Sequence, residues 1–175
     1  MSIQKENIKI NKKINGIAYY QIFGGVTGAI LMFIMVIGGY SVLGSSALVL
    51  IVPVLFFSFS VIAGIYLLKR KKNYGLLTKI NQLMQIPQIS IYGFSFQYFA
   101  GLFFGVGLSG IFNFNLNLSL PDFKFVLTGS SDEFILMINL IPIILLNRLK
   151  KYESQIESNN NALEIVKSHN KKTNG

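Results

Sequence analysis

The tetrapeptide Lys69-Arg70-Lys71-Lys72 separates two long stretches that contain no charged residue. The first stretch runs from Ile14 to Leu68 and the second from Ile80 to Pro121. A chain that folds in water distributes charge along its helices and loops, whereas a bilayer excludes charge from its core and accepts it among the headgroups. The pattern therefore predicts membrane-spanning segments on both sides of a basic loop at the cytoplasmic surface.

The composition indicates the same class. The chain is 51% hydrophobic and 13% charged, with a mean hydropathy of +0.51, whereas soluble domains contain about 25% charged residues. It contains no cysteine, which excludes disulfides and thiolate metal ligands. The net charge of +9 lies in short runs beside apolar segments, where it meets anionic headgroups. We therefore expect the lipid bilayer as a partner, no nucleic acid, and a multi-pass protein of the bacterial cytoplasmic membrane.

The positions of the charges predict an all-α integral membrane protein with four transmembrane helices. A basic lead-in at 1–15 and a polar tail at 152–175 are expected in the cytoplasm, on either side of a transmembrane domain at 16–151. This arrangement, with both termini inside, leaves Lys124 as the single basic residue outside, as the positive-inside rule requires. The four spans are placed at about 16–40, 47–68, 89–112 and 131–151.

Two segments are predicted to lie outside the spans. In Asn73–Ser90, Leu76, Leu77, Ile80, Leu83 and Met84 recur at helical spacing, which predicts a short amphipathic helix on the cytoplasmic interface. Its polar side carries Asn81, Gln82 and Gln85, followed by Gln88, and is expected to be solvated; the alternative is that it contacts a partner or a polar ligand.

Residues 112–125 alternate between apolar and polar side chains, which predicts a small extracytoplasmic β-like segment. An apolar strand face of this kind needs a cover, and an open strand edge is a pairing hazard. We therefore treat the segment as a candidate interaction surface, carried by Asn113, Asn115 and Asn117.

Small and polar residues within the predicted spans suggest how the helices pack. Gly24 and Gly28, and likewise Gly101 and Gly105, form Gly-x-x-x-Gly motifs that let two helix backbones approach closely. The large polar side chains inside the predicted spans, which are candidates for interhelical hydrogen bonds, are Gln21, Gln97 and Asn139.

The sequence offers little for catalysis. The four predicted spans contain no Asp, Glu, Lys, Arg or His apart from those at their ends, and His169, the one histidine, lies near the C-terminus. We therefore predict no enzyme activity, cofactor or metal site. The first hypothesis is a non-catalytic membrane subunit or interaction protein, with a membrane protein or a second copy as partner. The alternative is a passive carrier or channel for a neutral or lipidic small molecule, lined by Gln21, Thr27, Ser58, Gln97 and Asn139. Polar side chains that converge on one cavity would favour the carrier, and side chains that pair off would favour the interaction protein.

Overall fold

The fold combines four helices with a six-stranded antiparallel sheet. The computed structural model describes residues 3–37, 48–110, 113–126 and 134–173. The helices are α1 (Ile3–Ile37), α2 (Leu48–Leu68), α3 (Tyr74–Met84) and α4 (Leu140–Thr173). The strands are β1 (Pro87–Ile91), β2 (Phe94–Phe99), β3 (Phe103–Ser109), β4 (Asn113–Ser119), β5 (Asp122–Val126) and β6 (Ile135–Asn139).

The prediction of an all-α protein with four spans is wrong. The region assigned to the third span, 89–112, contains most of β1 together with β2 and β3, and the described part of the fourth, 131–151, contains β6 and the start of α4. High mean hydropathy does not distinguish a buried helix from adjacent apolar strands, whereas a period of two does. That period is present in Phe94-Ser95-Phe96-Gln97-Tyr98.

Strands β1 and β2 form a hairpin with a two-residue turn. Tyr92 and Gly93 both have positive φ, of 43° and 88°, which is the geometry of a type I′ two-residue turn. This turn places Ile91 opposite Phe94 and starts the β1–β2 ladder.

Two helical segments, Ile3–Ile34 in α1 and Ile51–Leu68 in α2, are long and apolar enough to cross a membrane. They are antiparallel and in close contact, as Gly25 and Gly28 of α1 meet Phe57 of α2 and Gly64 of α2 meets Ala18 of α1. They correspond to the first and second predicted spans.

The basic segment at 1–15 is not separate from the first apolar helix, because α1 begins at Ile3. It packs against α4, which continues through the region expected to be a polar tail. Asn7 accepts a hydrogen bond from Asn159 at 2.8 Å. A buried cluster joins both helices to the end of α2 and contains Ile10, Ile14, Ile17, Ala18, Leu67 and Leu149.

The sheet, with strand order β4-β3-β6-β1-β2-β5, is strongly curled. The edge strands β4 and β5 are joined by only residues 120 and 121, and β2 is joined to β3 by residues 100–102 although β1 and β6 lie between them. A flat sheet would separate β2 from β3 by three spacings of about 4.8 Å, yet the rings of Phe99 and Phe103 are 4.6 Å apart. These rings lie on the concave face of the sheet.

The sheet rests against the hairpin of α1 and α2. Gly24 of α1 meets the backbone of Ala100 in the β2–β3 connection. Further along the strands, the ring of Phe56 in α2 lies 4.9 Å from that of Tyr98 and 5.2 Å from that of Phe123. The β2 and β5 half of the sheet therefore runs alongside the helical hairpin.

Candidate functional site

Helix α3 has its polar side inward and its apolar side outward. Thr78, Asn81, Gln82 and Gln85 are buried, whereas Leu76 is 57% and Leu83 is 56% exposed. The expectation that this polar side is solvated is wrong. The amphipathic period identified the helix correctly, but a period gives no direction, and the direction here is the reverse of that in a soluble protein.

Asn81 is the centre of the buried polar network. Its amide nitrogen donates to the side-chain oxygen of Gln21 at 2.9 Å and to the hydroxyl of Ser60 at 3.2 Å. Its amide oxygen accepts from the hydroxyl of Tyr98 at 3.1 Å. One side chain of α3 is thereby bonded to α1, α2 and β2.

Gln85 extends this network to the sheet. Its side-chain nitrogen donates to the carbonyl of Asn81 at 3.2 Å, and its side-chain oxygen accepts from the backbone N–H of Ala100 at 2.9 Å. The polar side of α3 therefore holds the β2–β3 connection against the helices. Buried amides with several partners of this kind specify one packing arrangement.

The polar residues selected from the sequence lie in three separate places. Gln21 bonds to Asn81, as described. Gln97 lies on the concave face of the sheet, where it accepts from Gln88 at 2.7 Å and donates to Asp122 at 2.8 Å. Asn139 accepts from the N–H of Ile141 at 3.2 Å and so caps the start of α4. Each side chain has a protein partner, and the three do not converge.

The selected glycines make different contacts from those expected. Gly28 faces the ring of Phe57, which is a contact between two helices. Gly24 instead faces the backbone of Ala100, which is outside any helix. Gly101 and Gly105 lie in the β2–β3 connection and in β3, so they form no helix face. Gly101 has a φ of 116°, a conformation that favours glycine.

The outer, convex face of the sheet is apolar. The strand register places alternate residues of all six strands on it, and side chains on β3, β4 and β6 are exposed rather than packed. A contiguous apolar surface of this kind marks a contact with lipid or protein. The exposed members on these three strands are Phe104, Phe114, Leu116, Leu118, Leu136 and Ile138.

The two edges of the sheet differ in chemistry. Among the described residues, β5 pairs only with β2 and β4 only with β3. The β5 edge carries Asp122 and Lys124, and charges of this kind discourage edge-to-edge pairing. The seven residues of β4 contain neither a charge nor a proline.

Strand β4 is also exposed on both faces. Phe114, Leu116 and Leu118 on the convex face are 68%, 63% and 71% exposed. Asn113 and Asn117, on the concave face, are exposed as well. The predicted interaction surface is therefore an open edge strand, with its three asparagines on one face and three large apolar residues on the other.

Arg70, in the basic tetrapeptide, makes hydrogen bonds to α1 and α2. Its guanidinium donates to the carbonyl of Leu67 at the end of α2 and to the side-chain oxygens of Asn11 at 3.3 Å and Asn15 at 3.2 Å. Burial lowers the pKa of this guanidinium from its ordinary value, and the nearby Tyr74 and Glu153 act in the opposite direction. Arg70 thus joins α1 to α2 at their basic end.

Comparison of the chain with protein-family models, curated proteins and solved structures gives no significant match. Within the described ranges, no cluster of three or more His, Asp or Glu side chains could hold a metal ion.

Proposed function

We propose that this chain is a non-catalytic interaction protein of the membrane that pairs with a second copy of itself through β4. Helices α1 and α2 cross the bilayer with their basic ends at the cytoplasmic surface. The sheet lies beside the hairpin that they form. The observation that carries the proposal is the edge of β4, which is uncharged and which, among the described residues, has no partner strand beyond β3.

Reversed polarity supports a position within the membrane. The convex face of the sheet and the outer side of α3 are both apolar, whereas their inner sides carry hydroxyl and amide groups. Water would make this arrangement unfavourable, and hydrocarbon favours it. Apolar side chains of α1 are exposed as well, among them Phe23, Ile30 and Phe33.

An open strand edge is energetically unfavourable inside the bilayer. Unpaired N–H and C=O groups in hydrocarbon cost several kcal/mol each, and open sheet edges are not found facing lipid. Strand addition removes this cost, because a second strand supplies the missing hydrogen bonds.

The sequence of β4 is suited to pair with itself. In an antiparallel arrangement centred on Leu116, Asn115 faces Asn117 of the second copy and Phe114 faces Leu118. No like charges meet, and the contact has the two-fold symmetry of an isologous dimer. A second copy therefore satisfies the edge without any other protein.

The carrier hypothesis has less support. Gln21, Gln97 and Asn139 each pair with a neighbouring group and lie apart from one another. Side chains that line a path for a neutral or lipidic small molecule would face a common cavity instead. The proposal of a non-catalytic role draws on the buried polar groups of the described residues, which are hydroxyls and amides.

Disulfide cross-linking in membranes tests the pairing. The chain contains no cysteine, so a single Leu116→Cys substitution places the one thiol at the two-fold axis. Directly opposed Cα atoms in an antiparallel pair lie about 4.5–5.5 Å apart, within the range of a disulfide. Mild oxidation should convert most of the protein to a product of twice the mass.

Leu136→Cys is the matched control. Leu136 is an exposed leucine on the same face, but it lies on β6, two strands from the edge, and should give no dimer. Equal cross-linking of the two variants would indicate random collision and would reject the proposal. A photo-cross-linking residue at position 116 that yields only lipid adducts would also reject it.

A further inference from the structure

A groove of about 500 Å³ lies between residues 13–20 of α1 and residues 145–152 of α4. Two cationic side chains, Lys13 of α1 and Arg148 of α4, line it. Gly16 leaves room in this groove, since a Cβ at this position would meet no atom within 4 Å. The remaining lining residues are Ile17, Tyr20, Leu145 and Tyr152.

A second groove, of about 240 Å³, continues along α1 towards the sheet. It is apolar, and its α1 wall consists of Tyr20, Phe23, Gly24 and Thr27. The opposite wall is formed by the two short connections of the curled sheet. Those connections contribute Gly101, Leu102, Leu120 and Pro121.

Tyr20 lies at the boundary between the two grooves, because it lines both. Its hydroxyl donates to the carbonyl of Leu102 at 3.1 Å, so the ring is held in place as part of the wall. From Lys13 to Thr27 the path follows fourteen residues of helix, or about 21 Å at 1.5 Å per residue. That length matches a phospholipid headgroup followed by most of an acyl chain, given a hydrocarbon thickness of about 15 Å per leaflet.

The two cations have no anionic partner in the described part of the chain. The ion pair found there is formed by Lys79 and Glu153, outside the groove. Lys13 lies 5.5 Å from the ring centre of Tyr152, which holds the ammonium group at the groove, and Arg148 is exposed. Two cations beside an apolar groove are complementary to a molecule with an anionic head and a long apolar tail.

We propose that this groove binds one anionic phospholipid. The phosphate lies between Lys13 and Arg148, where Arg can supply two parallel hydrogen bonds, and an acyl chain follows Phe23, Leu102 and Leu120. The inference uses the membrane position proposed above. It does not depend on pairing through β4, so the cross-linking experiment and the lipid experiment fail independently.

Lipid titration of the purified full chain in a zwitterionic detergent tests the site. Phosphatidylglycerol is the probe, and native mass spectrometry counts the bound molecules. We expect one saturable site that phosphatidylcholine with the same acyl chains fills at least about tenfold more weakly, since phosphatidylcholine keeps the phosphate but adds a quaternary ammonium cation, which is repelled by Lys13 and Arg148. Inorganic phosphate at the same concentration should not displace the lipid, because it lacks the acyl chain.

Two variants with a matched control assign the site to the groove. The double variant Lys13→Gln/Arg148→Gln should weaken binding at least about tenfold, and Gly16→Leu should do so by filling the space for the headgroup. Lys12→Gln/Lys150→Gln removes the same charge from neighbouring positions that do not line the groove, and should change binding less than about twofold.

Equal weakening by both double variants would show general charge attraction and would overturn the proposal. Equal binding of phosphatidylcholine and phosphatidylglycerol would overturn it as well. Gly16→Leu keeps every charge and introduces its side chain into open space, so a loss of binding in a variant with unchanged circular dichroism reports the groove itself.

Discussion

Asn81 of α3 donates a hydrogen bond of 2.9 Å to Gln21 of α1, sixty positions earlier in the chain. Both side chains are fully buried, and the same asparagine also bonds to Ser60 and Tyr98. The contacts of this one amide join two candidate membrane helices, the short helix α3 and the sheet. It explains why a polar helix side can be buried in a protein of this hydropathy.

Replacement of Asn81 by leucine should destabilise the protein more than loss of one hydrogen bond would. The buried oxygens of Gln21 and Ser60 lose the donor that they share, whereas the hydroxyl of Tyr98 keeps the carbonyl of Phe56 as its acceptor at 2.8 Å. The expected cost is about 2–3 kcal/mol in total. Tyr98→Phe, which removes one hydroxyl, should cost about 0.5–1 kcal/mol. Thermal unfolding in detergent measures both losses of stability. In a chain of this size, each kcal/mol lowers the midpoint temperature of unfolding by about 2–4 °C. Equal losses from the two substitutions would show that Asn81 is not the centre of the network.

Gln82 should respond in the opposite direction to Asn81. It is fully buried, and neither atom of its side-chain amide has a hydrogen-bond partner among the described residues. Gln82→Leu removes two unsatisfied polar atoms at nearly constant volume, so it should raise the free energy of unfolding by about 1–3 kcal/mol. The same thermal assay applies, with Asn81→Leu as the comparison. A destabilised Gln82→Leu protein would mean that ordered water satisfies this amide.

The sequence predicted some elements well because their signals are local. The two apolar helices follow from uninterrupted hydropathy, and the segment Asn113–Ser119 follows from its unbroken alternation. The asparagines at 113, 115 and 117 were selected for this reason, and they do lie on an exposed strand.

The sequence did not predict the rest because the decisive contacts are distant in the chain. Residues of β1, β2 and β3 are apolar enough to resemble a membrane helix, and their hydrogen bonds go to strands rather than along a helix. The inward direction of α3 depends on Gln21 and Ser60, which lie far from it in sequence. The groove between Lys13 and Arg148 depends on the packing of α4 against α1, which no single segment encodes.

Gly24 should be intolerant of even one added methyl group. A Cβ at this position would lie 2.6 Å from the carbonyl carbon of Ala100 and 2.6 Å from the nitrogen of Gly101. Backbone atoms cannot rotate away, so Gly24→Ala should separate α1 from the β2–β3 connection and cost about 1–3 kcal/mol.

Gly16→Ala is the control for Gly24→Ala, since it lies on the same helix in open space and should be neutral or stabilising by up to about 1 kcal/mol. Thermal unfolding of both variants gives the comparison. Tolerance of alanine at both positions would contradict the close approach of α1 to the sheet.

The two ends of the molecule should be accessible from opposite sides of the membrane. Tyr92, at the tip of the β1–β2 hairpin, is 88% exposed and lies at the end of the sheet away from the basic tetrapeptide. Asn161 is exposed on α4, beyond the basic residues at 148–151 that the positive-inside rule predicts to be cytoplasmic. In intact cells a membrane-impermeant maleimide should label Tyr92→Cys, and it should label Asn161→Cys only after the membrane is opened. The native chain has no cysteine and gives the background. Labelling of both variants from one side would show that α1 and α2 enter the bilayer without crossing it.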